Sequence, residues 1–282
     1  MTFSDLYLAC KTELATAGIP DADFEAVTLL RHFFRLTQSE WLLKKRETPP
    51  AGRMNALQKA IIERKNRRPL QYILGEWEFM GIEIAVGEGV LIPRDDTEVL
   101  VRAVSDYLGG RPAAGADLCA GTGAVSLALC SLHPDTQITA VELSGHAFPY
   151  LTENTDAYAE YDIMPVQGDI FDEALANDFT RTFDFIACNP PYIARNELSS
   201  LQAEVQCEPA MALDGGDDGL TFYRAVTAIW KKTLKPGGLL AFEIGETQAE
   251  AVSDILRENG FTSLAIHRDL SGLPRCALAV QA

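Results

Sequence analysis

From residue 97 onward the sequence alternates apolar runs of strand length with amphipathic runs of helical period, and this alternation restricts the chain more than any other feature. Helices are expected over residues 99–108, 124–132, from the mid-140s to about Glu160, 220–234 and 248–258. Strands are expected between them over 115–119, 137–143, 164–167, 183–188 and 239–244. Strands joined by crossover helices lie parallel, so the expected fold class is α/β, a doubly wound, mostly parallel sheet that holds its ligand at the carboxyl ends of the strands. Two further strand-like runs, 262–268 and 276–280, are joined too briefly for a crossover helix and are expected to form an antiparallel pair at one edge.

The first 68 residues carry helical periodicity only. Phe3, Leu6, Tyr7, Cys10 and Leu14 recur on one face, and Pro20-Asp21 opens a second helix bearing Phe24, Val27, Leu30 and Phe34. Thr37-Gln38-Ser39-Glu40 has the pattern of a capping box. After Pro49-Pro50 a fourth helix is expected to about Asn66, with Met54, Leu57, Ile61 and Ile62 facing inward. Such short-jointed amphipathic helices form a small bundle. The period then drops to two around Met80-Gly81, where Trp77 and Phe79 precede Ile82, Ile84 and Val86, the mark of a hairpin. The expected domains are a helical bundle over 1–73, a β-hairpin connector over 74–96 and a ligand-binding α/β domain over 97–282.

Charge divides the chain in the same place. Residues 1–75 hold 12 Lys and Arg against 8 Asp and Glu, a net of +4, whereas residues 76–282 hold 12 against 32, a net of −20. A body that acidic repels phosphates, so no direct specific binding of nucleic acid is expected. The basic residues Lys44, Lys45 and Arg46, with Lys59, Arg64, Lys65, Arg67 and Arg68, are either a solvated helix face or a docking surface for an acidic or RNA-bearing partner. No apolar run is long enough to span a membrane, and the acids near the N-terminus do not suit a signal peptide, so a cytoplasmic protein is expected. The six cysteines and four histidines are too scattered for a ligand set, and no metal is expected.

Two motifs carry chemistry. Asp117-Leu118-Cys119-Ala120-Gly121-Thr122-Gly123 lies between the first strand of the α/β region and its helix, where glycines let a ligand approach backbone amides. Glu142 ends the next strand and suits the two hydroxyls of a ribose. Asn189-Pro190-Pro191-Tyr192 follows the apolar strand 183–188. Two prolines fix their φ angles and supply no N–H, so the loop offers acceptors but few donors. The Asn189 side-chain oxygen and the Pro190 carbonyl suit an –NH₂ group, and Tyr192 suits the flat face of an amide or base.

Asn-Pro-Pro-Tyr after such a strand resembles the amino-group methyltransferases that use S-adenosylmethionine. The wider sequence resembles the PrmC/HemK family, the peptide chain release factor glutamine methyltransferases. The matching stretches include Arg68-Pro69-Leu70-Gln71-Tyr72-Ile73-Leu74-Gly75, Val90-Leu91-Ile92-Pro93-Arg94, Thr97-Glu98, Glu208-Pro209, Ala212-Leu213-Asp214-Gly215-Gly216, Asp218-Gly219-Leu220, Leu234-Lys235-Pro236-Gly237-Gly238 and Glu243-Ile244-Gly245. The resemblance is close over 68–282 and one of length and helical character over the bundle. It implies a Rossmann-like methyltransferase sheet, S-adenosylmethionine as cofactor and methyl transfer to the glutamine of a Gly-Gly-Gln loop in release factors. It implies cofactor contacts at Cys119, Ala120, Gly121, Thr122, Gly123, Glu142, Asp169, Ile170 and Asn189, substrate contacts at Asn189, Pro190, Pro191 and Tyr192, and catalysis through Asn189, Pro190 and Tyr192. Docking of the protein substrate falls to the bundle. The rival targets are a ribosomal-protein glutamine and the adenine amino group of nucleic acid. Cys119-Ala120 departs from the family's Gly-Thr, and with that glycine gone the backbone at Cys119 is expected to adopt ordinary φ/ψ angles.

Overall fold

The computed structural model describes all 282 residues, Met1–Ala282. They form two compact units, one of Met1–Glu76 with Gln202–Cys207, the other of Trp77–Leu201 with Glu208–Ala282.

The first unit is helical: α1 (Phe3–Thr16), α2 (Ala22–Phe34), α3 (Gln38–Lys44), α4 (Met54–Lys65) and α5 (Leu70–Leu74). Thr2 with Asp5 and Thr37 with Glu40 each form a complete capping box, which fixes where α1 and α3 begin. Leu14, Leu29, Leu30 and Leu57 are the fully buried centre. Phe24 and Ile62, expected inside, are exposed instead. On α2 the buried stripe runs through Ala22, Ala26, Leu29 and Leu30, which leaves Phe24 off the face and brings Glu25 under it. Glu25 is tolerated there because Arg64 of α4 forks onto it, Nε to Oε2 at 2.6 Å and Nη2 to Oε1 at 3.1 Å. Arg64 Nη1 and Arg67 Nη1 also donate to Glu204, at 3.0 and 3.1 Å. Lys65 pairs with Glu13, and Lys59 and Arg68 both pair with Glu63. Each cation of the basic run 59–68 is therefore paired with a carboxylate of its own unit.

After α5 comes a two-stranded sheet, β1 (Glu76–Phe79) and β2 (Ile82–Ala85), joined by the two-residue turn Met80-Gly81. Seven further strands follow: β3 (Ala113–Leu118), β4 (Thr136–Glu142), β5 (Asp162–Gln167), β6 (Phe183–Cys188), β7 (Leu234–Glu243), β8 (Phe261–Arg268) and β9 (Pro274–Gln281). They form one sheet in the order β5-β4-β3-β6-β7-β9-β8. The first five run parallel, and β9 lies antiparallel to both β7 and β8. The interspersed helices are α6 (Glu98–Leu108), α7 (Ala124–Leu132), α8 (Phe148–Ala157), α9 (Glu173–Asn177), α10 (Thr221–Ile229) and α11 (Ala249–Glu258).

Strand side chains alternate between faces, so neighbouring residues of β6 enter different cores. Phe185 joins Leu100, Val104 and Leu127 on one side of the sheet, and Ile186 joins Tyr223, Trp230 and Phe242 on the other. The helix expected over 220–234 ends early, at Ile229. A short 3-10 turn over Lys231–Thr233, tied by Thr233 Oγ1 to the Trp230 carbonyl at 2.8 Å, turns the chain so that Leu234 already pairs with Phe183 in the sheet. No helix is long and apolar enough to cross a membrane.

Candidate functional site

The sheet order reverses between β3 and β6, and there a cleft of about 1060 Å³, counting its open mouth, lies over the carboxyl ends of the strands. Ile92, Val125, Leu143, Ile170 and Phe222 give it apolar walls. Its polar groups come from the ends of β3, β4, β5 and β6 and from Arg94 and Thr97 ahead of α6.

After β3 the chain turns sharply. Ala120 N–H donates to the Val141 carbonyl at 3.0 Å, which draws the loop across β4. Gly121 N–H donates to Glu142 Oε2 at 2.8 Å, and Ser144 N–H donates to Glu142 Oε1 at 2.7 Å, so the carboxylate is held rigidly at 9% exposure. Gly123 has φ +81, and a Cβ there would stand 2.8 Å from Leu151 Cδ1. Cys119 has φ +63, contrary to the expectation that losing the family's glycine would return this position to ordinary angles. The strand pairing Leu118↔Cys188 and the Ala120 bond to Val141 fix the residues on each side, so the turn dictates the left-handed conformation whatever the side chain. Such a conformation costs a non-glycine residue about 1–2 kcal/mol. Asp117, 1% exposed, accepts from Ser126 N–H and Oγ at 3.1 and 2.7 Å, yet burial pushes its pKa up to about 7. Asn154, also buried, braces the same loop by donating to the carbonyls of Thr122 and Ala85.

On the β5 side, Asp169 Oδ1 accepts the Phe171 N–H at 2.9 Å, and Ile170 is buried with its carbonyl accepting from Trp230 Nε1 at 2.8 Å. Cys119, Ala120, Gly121, Thr122, Glu142, Asp169, Ile170, Asn189 and Pro191 all border the cleft; Gly123, Pro190 and Tyr192 do not.

At the end of β6, Asn189 Nδ2 donates to Thr97 Oγ1 at 3.3 Å. Tyr192 turns its hydroxyl down toward Glu243 Oε1, 3.4 Å away, and burial raises its pKa. Its carbonyl accepts from Gln248 Nε2 at 2.9 Å. The segment after the loop returns against it: Ile193 bridges Asp214, and a Cβ on Gly215 would stand 2.7 Å from Tyr192 Cα. Glu208, 5% exposed, accepts from Ile92 N–H at 3.0 Å and from the Arg94 guanidinium, fixing the strip that borders the cleft at residues 89–94.

Thr97, Asn154, Glu208, Gln248 and Glu243 thus shape the site although no periodicity argument marks them. For Thr97, Glu208 and Glu243 the signal available in the sequence was their place in the stretches Thr97-Glu98, Glu208-Pro209 and Glu243-Ile244-Gly245. No group of three or more His, Cys, Asp or Glu side chains lies close enough to hold a metal ion.

Two family models match the chain: the PrmC N-terminal domain over residues 5–75 and the methyltransferase small domain over residues 95–216. A release factor glutamine methyltransferase of Thermodesulfovibrio yellowstonii is 40% identical over 77% of this chain and 78% of its own length. One of Moorella thermoacetica is 36% identical over 94% of each chain. Among solved structures, the hMettl16 catalytic domain in complex with the MAT2A 3'UTR hairpin 6 superposes with a TM-score of 0.57 at 17% identity, over 82% of each chain, a likeness of fold.

Proposed function

The chain belongs to the release factor glutamine methyltransferases, and we propose that it transfers the methyl group of S-adenosylmethionine to the side-chain amide nitrogen of the glutamine in the Gly-Gly-Gln motif of peptide chain release factors. The observation that carries this reading is the Asn189-Pro190-Pro191-Tyr192 loop at the carboxyl end of β6, with Asn189 bordering the cleft.

The residues present suit the cofactor. A rigid carboxylate at the end of β4, Glu142, is matched to ribose hydroxyls, and it keeps acceptor capacity beyond the two N–H bonds it receives. Ile170 and Leu143 give apolar faces for a flat base, with the Asp169 carboxylate beside them. The turn from Cys119 to Gly123 brings backbone close to the remainder. When bound, S-adenosylmethionine supplies an electrophilic methyl on a sulfonium centre.

The chain's own residues do the rest. An amide nitrogen is a poor nucleophile because its lone pair is delocalised into the carbonyl. We assign its two hydrogens to Asn189 Oδ1 and the Pro190 carbonyl, which raises electron density on nitrogen and aims the lone pair across the cleft. Positioning of this kind supplies much of the rate in an in-line displacement. The same two oxygens ease positive charge as it develops on nitrogen. The Pro190-Pro191 pair keeps the acceptors fixed, and Tyr192 anchors the loop from beneath through Glu243 and Gln248. Once methylated, the nitrogen is a strong acid, and its proton passes to water.

Docking of the protein substrate is assigned to the helical region 1–73, the one part of an acidic chain with net positive charge. Within it, Lys45 and Arg46 are exposed. The cytoplasm is the compartment of this reading, and six free thiols suit it. The test is methyl transfer from labelled S-adenosylmethionine with purified release factor, ribosomal protein and duplex DNA offered in parallel, followed by mass spectrometry. One added methyl on the Gly-Gly-Gln glutamine is expected; label on ribosomal protein or DNA alone would overturn the substrate assignment.

A further inference from the structure

Gln248, the residue that precedes α11, has every hydrogen-bonding position of its carboxamide filled. Nε2 donates to the Tyr192 carbonyl at 2.9 Å and to the Gly219 carbonyl at 3.2 Å. Oε1 accepts the Gly245 N–H at 2.9 Å. It also shares the single hydrogen of the Tyr223 hydroxyl, 3.1 Å away, with the Glu243 carbonyl at 3.0 Å. Only one orientation of the amide satisfies these partners. Turned over, it would set –NH₂ against the Gly245 N–H and an oxygen against two carbonyls. The chain makes room for this group at two glycines. A Cβ on Gly219, where φ is +71, would run into the Tyr192 carbonyl oxygen and stand 2.8 Å from Gln248 Nε2. A Cβ on Gly245 would stand 2.9 Å from Gln248 Oε1.

We propose that Gln248 is a positioning residue for methyl transfer: its carboxamide clamps the carbonyl end of the acceptor loop and so fixes where Asn189 and Pro190 offer their oxygens. The proposal rests on the amide-gripping role given to those two residues above. Pro190 and Pro191 have no N–H to donate, so the middle of the loop cannot be tied down through backbone donors. The hold falls on its far end. Beyond Tyr192, the Ile193 N–H reaches the Leu213 carbonyl at 3.0 Å, and the Gly215 N–H reaches the Ile193 carbonyl at 2.8 Å. Gln248 joins both of these paired segments, at Tyr192 and at Gly219, to the turn after β7 at Gly245. With φ fixed at 190 and 191, a shift of the Tyr192 peptide is passed back to the Pro190 carbonyl rather than absorbed on the way.

Gln248→Glu separates the two halves of the clamp. The side chain keeps its shape, and one carboxylate oxygen still receives Gly245 and Tyr223. The other faces the Tyr192 and Gly219 carbonyls, which repel it, so the loop half is broken while the half toward β7 survives. Gln248→Met keeps the length of the side chain and loses both halves. Val252→Ala removes packing from the fully buried face of α11 without touching either half.

The test compares kcat, KM, cofactor Kd and Tm for wild type and these three variants, on whichever glutamine substrate the wild type methylates. Gln248→Glu and Gln248→Met should each lower kcat by roughly 10²-fold, the scale of a misplacement of about 1 Å at a reacting centre. KM should change less than kcat, and cofactor Kd should be unchanged. Val252→Ala should lower Tm and leave kcat near the wild-type value. A residue that only supports the fold would move Tm in all three variants and kcat in none. Normal kcat in either folded Gln248 variant, or a loss shared equally by cofactor binding, would overturn the proposal, as would failure of both to fold. Failure of the wild type on every glutamine substrate would instead sink the reading beneath it.

Discussion

Asp117→Asn should stabilise the chain at alkaline pH and leave it almost unchanged in acid. Asp117 lies under the glycine turn at 1% exposure, and its two bonds from Ser126 do not offset the loss of water. Its pKa moves from 3.8 to about 7, with burial as the largest cause. The folded state therefore holds this proton more tightly than the unfolded state does. Well below pH 3.8 the group is neutral in both states and costs nothing. As pH rises from there to about 7, stability falls, and it stays lowered above that. A shift of about three units at ~1.4 kcal/mol each sets a ceiling of about 4 kcal/mol. Asparagine removes the charge and keeps an oxygen for Ser126, so about 2–4 kcal/mol should return at pH 8.5 and only about 1 kcal/mol at pH 4.5. Urea unfolding at both pH values, followed through the fully buried Trp230 of the same unit, measures the difference. Glu243 carries a shift of the same sign but is common to both proteins and cancels. A variant that is equally destabilised at both pH values would refute burial as the controlling cause.

Three further outcomes follow from particular contacts. Gly215→Ala puts a Cβ only 2.7 Å from Tyr192 Cα, so the acceptor loop must shift; kcat should fall ~10-fold or more with cofactor Kd nearly constant in calorimetry. Arg64→Ala leaves Glu25 buried and unpaired, and should cost the helical unit about 3–5 kcal/mol by chemical unfolding. Cys119→Val places a β-branched residue at φ +63 and should lower Tm and weaken cofactor binding, whereas Cys119→Gly should bind at least as well as wild type, because relief of strain and added chain entropy nearly balance.

The fold was largely legible because its signals are local. Strand length, helical period and the brief joint between residues 268 and 276 are enough to imply the parallel sheet and its antiparallel edge, and the two capping boxes stand in the sequence as Thr-x-x-Asp or Thr-x-x-Glu. The errors arise where tertiary partners decide. Nothing near Phe24 reveals that Glu25 will be buried instead, since its partner Arg64 lies 39 positions away. The ion pairs of Arg64, Lys65 and Arg67 could not be read either, because their acids, Glu13, Glu25 and Glu204, are scattered along the chain. Cys119 illustrates the same limit for the backbone. Residue type argued for ordinary angles, and the hydrogen bonds on either side overruled it. Of the site itself, the glycine turn, Glu142 and Asn189 were readable as motifs, but the supports behind them were not. Glu243, Gln248 and Thr97 bear on the acceptor loop only through side-chain contacts across 51, 56 and 92 positions.

The central claim is that Asn189 grips the amide to be methylated. Steady-state methylation of the Gly-Gly-Gln glutamine by Asn189→Ala, with cofactor Kd measured beside it, tests that most directly. Loss of one such group at a reacting centre should lower kcat by about 10²–10³-fold, with a much smaller change in cofactor affinity. Near-normal turnover in Asn189→Ala would contradict the account.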